Sequence, residues 1–120
     1  MSRARLLAEV LGVYARAWIL LRRRPLPEAL TALRAVPGDA QAQDPRRLAR
    51  AVTRTLRALP TDSRCLVESA TLVGLLARRG VDSALVLGVR PGEDFAAHAW
   101  VEIGGRTLLP AKDFERLAEM

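Results

Sequence analysis

One cysteine, Cys65, and one histidine, His98, are the side chains of this sequence best suited to nucleophilic chemistry. A thiolate attacks a carbonyl carbon, and an imidazole can take up and return the proton that the reaction moves. A helix is predicted to begin just before Cys65, and both the positive end of its dipole and a nearby imidazolium would lower the pKa of the thiol. His98 follows on a predicted strand, an order compatible with a catalytic Cys and His pair.

A purely structural role is the alternative for both residues. Free cysteines are among the most often buried residues, and a lone histidine on a strand is often only a satisfied polar group. Residue type alone favours this structural role, so the pattern around each residue decides the interpretation.

The second half of the chain predicts one helix and a small sheet. Capping side chains at Thr61, Asp62 and Ser63 precede a helix that should run to Arg79 and stop at Gly80. Three strands are then predicted, the first over SALVLGVR and two more over AAHAWVEIGGRTLLP, with a hairpin at the Gly-Gly pair. The glycine within the first of these strands, Gly88, predicts a bulge or a close backbone approach near the site.

The first half predicts three helices. They should cover about residues 2–24, 27–36 and 45–59, and the third should begin at Pro45 with Asp44 as its cap. An apolar stripe on the first helix is expected to pack on the protein's own core, although docking to a partner or a membrane surface is the alternative. Its members are Leu7, Val10, Leu11, Tyr14, Trp18 and Leu21. The closing stretch DFERLAEM predicts a short helix capped by Asp113.

These elements predict an α+β fold, with a helix that carries cysteine at its start packed on a small antiparallel sheet. A chain of 120 residues with 50% apolar residues fits a single domain, residues 1–120. Residues 1–60 would form its helical N-terminal part and residues 61–120 its catalytic core.

Three segments together resemble one family. They are the tripeptide at Cys65, the passage LLARRGVDSALVLGV, and the hexapeptide AHAWVE that contains His98. In order and spacing they are similar to the transglutaminase-like core of the leader peptidases of lasso peptide biosynthesis. That family resembles papain and transglutaminases in placing cysteine at a helix start and histidine on an adjacent strand.

The resemblance implies a cysteine peptidase in which Cys65 attacks a peptide carbonyl and His98 acts as its base. It implies a ribosomally made precursor peptide as substrate and a separate protein that recognises the leader, with the ATP-dependent lasso cyclase as a further candidate partner. It implies no metal or organic cofactor. Sequence does not separate hydrolysis from transfer of the acyl group to an amine, which is an alternative on the same fold.

The third catalytic residue is open among three possibilities. Related enzymes usually carry an aspartate on the strand after the histidine, where this sequence has Leu108, Leu109 and Pro110. A two-residue turn at the Gly-Gly pair would place Asp113 on the face of His98, which makes Asp113 the leading candidate. Glu102 lies on that face too, but four residues along a strand span about 13 Å, so it more plausibly pairs with an arginine such as Arg106. A pair without a third carboxylate is also possible.

The net charge of +6 raises the alternative of a non-catalytic basic module that binds nucleic acid or a protein partner. Its arginines are spread over all the predicted helices without a recognition motif, which argues against a nucleic-acid partner. The first helix is interrupted by Glu9 and Arg16, so a membrane span or association with a membrane is not expected. With one cysteine and therefore no intramolecular disulfide, a cytoplasmic location is predicted.

Overall fold

The computed structural model describes residues 3–35, 44–57, 65–90, 96–108 and 115–120. Four helices precede a four-stranded sheet, which confirms the α+β prediction. The helices are α1 (Arg3–Arg23), α2 (Leu26–Arg34), α3 (Pro45–Arg57) and α4 (Cys65–Ala77). The strands are β1 (Ala84–Arg90), β2 (Ala96–Ile103), β3 (Arg106–Thr107) and β4 (Glu115–Glu119).

Proline and capping residues set the helix boundaries close to where the sequence predicts them. Pro25 separates α1 from α2, because its ring cannot continue the first helix. Pro45 is the first residue of α3, and the backbone N–H of Arg46 donates to Asp44 Oδ1 over 3.1 Å. The predicted Asp44 cap is therefore confirmed.

The apolar face of α1 packs on the core, as predicted, and Val10 of the predicted stripe is fully buried. Ala17, which is fully buried, and Leu6, which is 9% exposed, belong to this face although the sequence did not assign them to it. Two residues assigned to the stripe, Leu7 and Trp18, are instead 47% and 42% exposed. The assigned stripe was wrong at these positions because α2, α3 and α4 cover α1 from the side of Leu6 and Val10.

Helix α4 lies at the centre of the fold, in contact with the other three helices and with β1 and β2. Leu72, Val73, Leu75 and Leu76 are all buried, as expected for a helix covered on every side. Gly74 permits the closest approach to α1, since a Cβ atom at this position would lie 2.9 Å from Val13 Cγ1.

Gly80 ends α4 as predicted. It has a φ of +71°, which a residue without a Cβ adopts readily. The N–H of Val81 donates to the carbonyl of Leu76 over 2.9 Å, and that of Gly80 to the carbonyl of Ala77 over 3.0 Å. This pair of bonds is a Schellman motif, and it satisfies carbonyls at the helix end.

The sheet has the strand order β3-β2-β1-β4, and all neighbouring strands are antiparallel. The predicted hairpin is confirmed, because Ile103 pairs with Arg106 across Gly104 and Gly105. These two glycines have φ of +56° and +83°, as two-residue hairpin turns require.

The predicted closing helix is wrong, because residues 115–119 form strand β4 on the free edge of β1. Leu85 and Met120 exchange two backbone hydrogen bonds of 2.8 Å beside it. Arg34 at the end of α2 also donates to the carbonyls of Ser83 and Met120, over 2.9 and 2.8 Å. The C-terminal segment is thus fastened to both the sheet and α2.

A buried ion pair joins α1 to the end of α4. Arg79, whose side chain is 1% exposed, donates to both oxygens of Glu9 over 2.6 and 3.0 Å, and Arg78 donates to it over 2.8 Å. Burial raises the pKa of Glu9, but the hydrogen bonds and charges of Arg79 and Arg78 outweigh burial and hold the pKa below its usual range. The residue that interrupts the apolar pattern of α1 therefore fixes its packing.

Within the described ranges, none of the helices combines the length and apolar character that crossing a membrane requires.

Candidate active site

Cys65 is the first residue of α4, as the sequence predicts. The N–H groups of a first helical turn have no partner within the helix, and they give the helix start a partial positive charge. Cysteines at helix starts are, as a class, more acidic than a free thiol. The predicted capping residues Thr61, Asp62 and Ser63 lie outside the described residues.

His98 lies on β2, the strand against which α4 packs. The elements that carry the cysteine and the histidine are therefore neighbours in the fold. His98 is half-buried, so its ring is partly covered and still reached by solvent.

Gly88 is the residue of β1 directly opposite His98, and on the other side of β1 it pairs with Arg116 of β4. His98, Gly88 and Arg116 thus form a row across three neighbouring strands, and the middle residue of the row has no side chain. The pairing of β1 with β4 shifts between Leu87 and Gly88, with Leu117 as the extra residue of β4. The bulge predicted from Gly88 is confirmed, and it lies in the row of His98.

Trp100 stacks on His98, with ring centroids 5.9 Å apart and planes inclined by 25°. Alternation along β2 puts the two rings on one face of the strand. Trp100 is only 3% exposed, so its packing fixes one side of the imidazole.

Glu102 contacts both Trp100, which stacks on His98, and Arg116 of β4. It accepts a hydrogen bond of 2.8 Å from Trp100 Nε1 and bonds of 2.7 and 2.8 Å from Arg116 Nη2. The expected pairing of Glu102 with an arginine is confirmed, but the arginine is Arg116 and not Arg106. Arg116 comes from β4, in the segment that the sequence predicted as a helix. Burial raises the pKa of Glu102, but the hydrogen bonds from Trp100 and Arg116 and the arginine charge hold the pKa below its usual range.

Arg116 also donates to Glu119 over 2.8 Å. The hydrogen bond with Glu102 raises the pKa of Arg116 above its usual value, and burial opposes this rise only in part. The guanidinium therefore holds the Glu102 carboxylate in its charged form while β4 holds the guanidinium.

Asp113, the leading candidate for the third catalytic residue, lies outside the described residues. The strand after the hairpin is described as far as Leu108, whose N–H donates to the carbonyl of Val101 over 2.8 Å. Asp113 therefore stays a prediction. Its alternative role as the cap of a closing helix is removed, because the segment from residue 115 is a strand.

Sequence reasoning missed Arg116 and the contact that Glu68 makes inside the fold. Glu68 is half-buried and accepts a hydrogen bond of 2.7 Å from Thr53 of α3. The one available signal for Arg116 was the free edge of the predicted sheet, which a further strand could cover. In the described part of the chain, no three His, Cys, Asp or Glu residues lie close enough together to hold a metal ion.

Comparison with known proteins gives two matches. The chain is 44% identical over 46 residues to the microcin J25-processing protein McjB of Escherichia coli, a match that covers 38% of this chain and 22% of that protein. The matched segment therefore spans less than a quarter of the length of that relative. No solved structure matches. The family model of the transglutaminase-like superfamily matches residues 8–120, nearly the whole chain. This chain belongs to the transglutaminase-like superfamily.

Proposed function

We propose that this protein is a cysteine peptidase that removes the leader from a ribosomally made lasso precursor peptide. The observation that supports this most is the position of Cys65 at the start of α4, a helix packed on the strand that carries His98. The superfamily match and the similarity to a microcin-processing protein agree with it.

In the proposed reaction, His98 takes the proton of Cys65, and the thiolate attacks the carbonyl carbon of the scissile peptide bond. The C–N bond breaks as His98 returns the proton to the leaving amine, and the leader remains bound to Cys65 as a thioester. Water then attacks the thioester, gives up a proton to His98, and releases the leader as a carboxylic acid. The thiol is restored by that proton, so the cycle consumes one water and no cofactor.

We assign three supporting roles to this site. The backbone N–H of Cys65 would donate to the oxyanion of the tetrahedral intermediate. Trp100 would hold the imidazole of His98 in one orientation, since the two rings stack and the indole is tied to Glu102. Asp113 would accept a hydrogen bond from the second ring nitrogen of His98, as the resemblance to related enzymes suggests.

The proposed substrate class rests on the similar protein from Escherichia coli, and the proposed partners rest on the family resemblance of the sequence. The relative matched over 46 residues is a microcin J25-processing protein. We propose that this chain acts on a precursor peptide of that class in the cytoplasm, as a single domain over residues 1–120. A separate protein would recognise the leader and present it, and the lasso cyclase would receive the freed core.

The test is cleavage of the precursor peptide with its leader-recognition protein present, followed by mass spectrometry of the products. Cys65→Ala and His98→Ala should lower the cleavage rate by at least about a hundredfold, because each removes a group that takes part in covalent catalysis. Asp113→Asn should lower it less. A folded Cys65→Ala variant that cleaves like the wild type would overturn the proposal.

The same assay in H₂¹⁸O separates hydrolysis from acyl transfer. Hydrolysis places one ¹⁸O in the new carboxyl group of the leader. If the leader is instead recovered as an amide of an added amine, with Cys65 still required, the chain is an acyltransferase on this fold. Salt-dependent retention of DNA that Cys65→Ala leaves unchanged, without any cleavage, would favour the basic binding module.

A further inference from the structure

An open groove of about 450 Å³ runs between α1 and α3. Its size falls within the range of about 300–1,000 Å³ that is usual for ligand clefts. Leu6 and Leu7 line its α1 side, and three arginines with Ala51 line its α3 side. The groove therefore joins an apolar wall to a strongly basic one.

The three arginines, Arg47, Arg50 and Arg54, lie three and four residues apart, so they follow one face of α3. All three are exposed, while Leu48, Val52 and Leu56 of the same helix are buried in the core. Within the described part of the chain, none of the three pairs with a carboxylate, and no acidic residue is among those that line the groove. Their positive charge is uncompensated there.

The neighbouring groove between α1, α2 and α4 is different. It is also lined by arginines, Arg16 and Arg78, but Glu9 lies among them and pairs with Arg78 over 2.8 Å. Among the described residues, positive charge is thus partly compensated by Glu9 on one side of α1 and has no carboxylate partner in the groove on the other side.

We propose that the groove between α1 and α3 binds an acidic segment of a polypeptide partner that also carries a leucine-sized apolar side chain. Carboxylates would pair with Arg47, Arg50 and Arg54, and guanidinium groups bind carboxylates well because they offer two parallel donors. The apolar side chain would cover Leu7, which is 47% exposed at the edge of the groove.

A polypeptide fits this groove better than a nucleic acid does. The groove is lined in part by Leu6, Leu7 and Ala51, which have no counterpart to contact on a phosphate backbone. No aromatic ring is among the described residues that line it, although aromatic stacking is the usual means of holding single-stranded bases.

The test uses the Cys65→Ala chain, so that binding is measured without cleavage and does not depend on the proposed peptidase function. The probe is a fluorescein-labelled twelve-residue peptide made of four Glu-Glu-Leu repeats, and fluorescence anisotropy gives its Kd. Arg50→Glu should weaken binding by about tenfold or more, because it replaces an attraction with a repulsion in the centre of the groove. Leu7→Ser should weaken it by about threefold through loss of apolar contact.

Arg23→Glu is the matched control, since it makes the same charge change at an exposed position outside the groove, sixteen residues and therefore about 24 Å along α1 from Leu7. It should change Kd by less than about twofold at physiological salt. An equal effect of Arg23→Glu and Arg50→Glu would overturn the proposal in favour of a net-charge effect. A Glu-Glu-Ala peptide or a dT12 oligonucleotide that binds as tightly as the probe would overturn it as well, the latter in favour of general polyanion binding.

Discussion

The ring of His98 stacks on the ring of Trp100 at a centroid distance of 5.9 Å, and the indole N–H of Trp100 is held by Glu102. The single histidine of the chain is therefore packed against a side chain whose own orientation is fixed by a buried carboxylate. Arg116 of the last strand holds that carboxylate in turn. The position of the imidazole depends in this way on residues of the inner strand β2 and of the edge strand β4.

Trp100→Phe should destabilise the fold by about 1–2 kcal/mol, because it keeps a ring beside His98 but removes one of the donors to buried Glu102. Urea unfolding followed by circular dichroism measures this free energy. Trp18→Phe is the control: Trp18 is 42% exposed and contacts the Arg22 guanidinium at 3.9 Å from the ring centroid, a contact that Phe can also make. Equal losses in the two variants would contradict the role of the Trp100 hydrogen bond.

Glu102 should make stability depend on pH in the acidic range. Its pKa is lower in the folded protein than in the unfolded chain, so its contribution to stability is complete above about pH 4.5 and is lost as the pH falls through the folded pKa. Unfolding free energies measured between pH 7 and pH 3 should therefore fall more for the wild type than for Glu102→Gln. Arg116→Met should reduce this difference. If the unfolding free energies of all three proteins fell in parallel with pH, the proposed contribution of Glu102 would be contradicted.

Gly74→Ala should destabilise the contact between α1 and α4 by about 1 kcal/mol or more, since its Cβ would lie 2.9 Å from Val13 Cγ1 in a packed interior. Gly12→Ala is the matched helical control. A Cβ there meets no atom within 4 Å, so this change should stabilise by about 0.5–1 kcal/mol. Val13→Ala should offset part of the loss in the Gly74→Ala background, and additive effects in the double variant would refute the contact.

Glu9→Ala should cost about 3–5 kcal/mol, because it leaves the guanidinium of Arg79 buried without its main partner. Arg78→Ala removes a partner of the same carboxylate whose side chain is 41% exposed, and it should cost only about 1 kcal/mol or less. Thermal unfolding of the three proteins at one pH makes the comparison. A larger loss for Arg78→Ala than for Glu9→Ala is the result that this interpretation forbids.

The sequence predicts those parts of the fold that local chemistry decides. Pro25, Pro45 and Asp44 set helix boundaries, Gly80 ends α4, and the Gly-Gly pair forms the hairpin turn. The same local rules place Cys65 at a helix start and His98 on a strand. In each case the signal comes from a residue whose backbone preference outweighs its surroundings.

The parts that were wrong depend on tertiary contacts. The segment ERLAE has good helix formers, yet it forms β4, because pairing with the free edge of β1 outweighs a weak local preference in five residues. Arg116 consequently went unnoticed as the partner of Glu102. On α1, periodicity alone could not tell which of two apolar faces the other helices cover, so Leu7 and Trp18 were assigned to the wrong side.

The claim that Cys65 is an activated nucleophile paired with His98 is tested most directly by alkylation with iodoacetamide as a function of pH. Because Cys65 is the only cysteine, intact-protein mass spectrometry follows its reaction alone, and Cys65→Ala gives the background. We expect the midpoint in the wild type to lie below that of a free thiol, about 8.5, and to shift toward that value in His98→Ala. A midpoint near 8.5 in both proteins would contradict the pairing and leave Cys65 a structural residue.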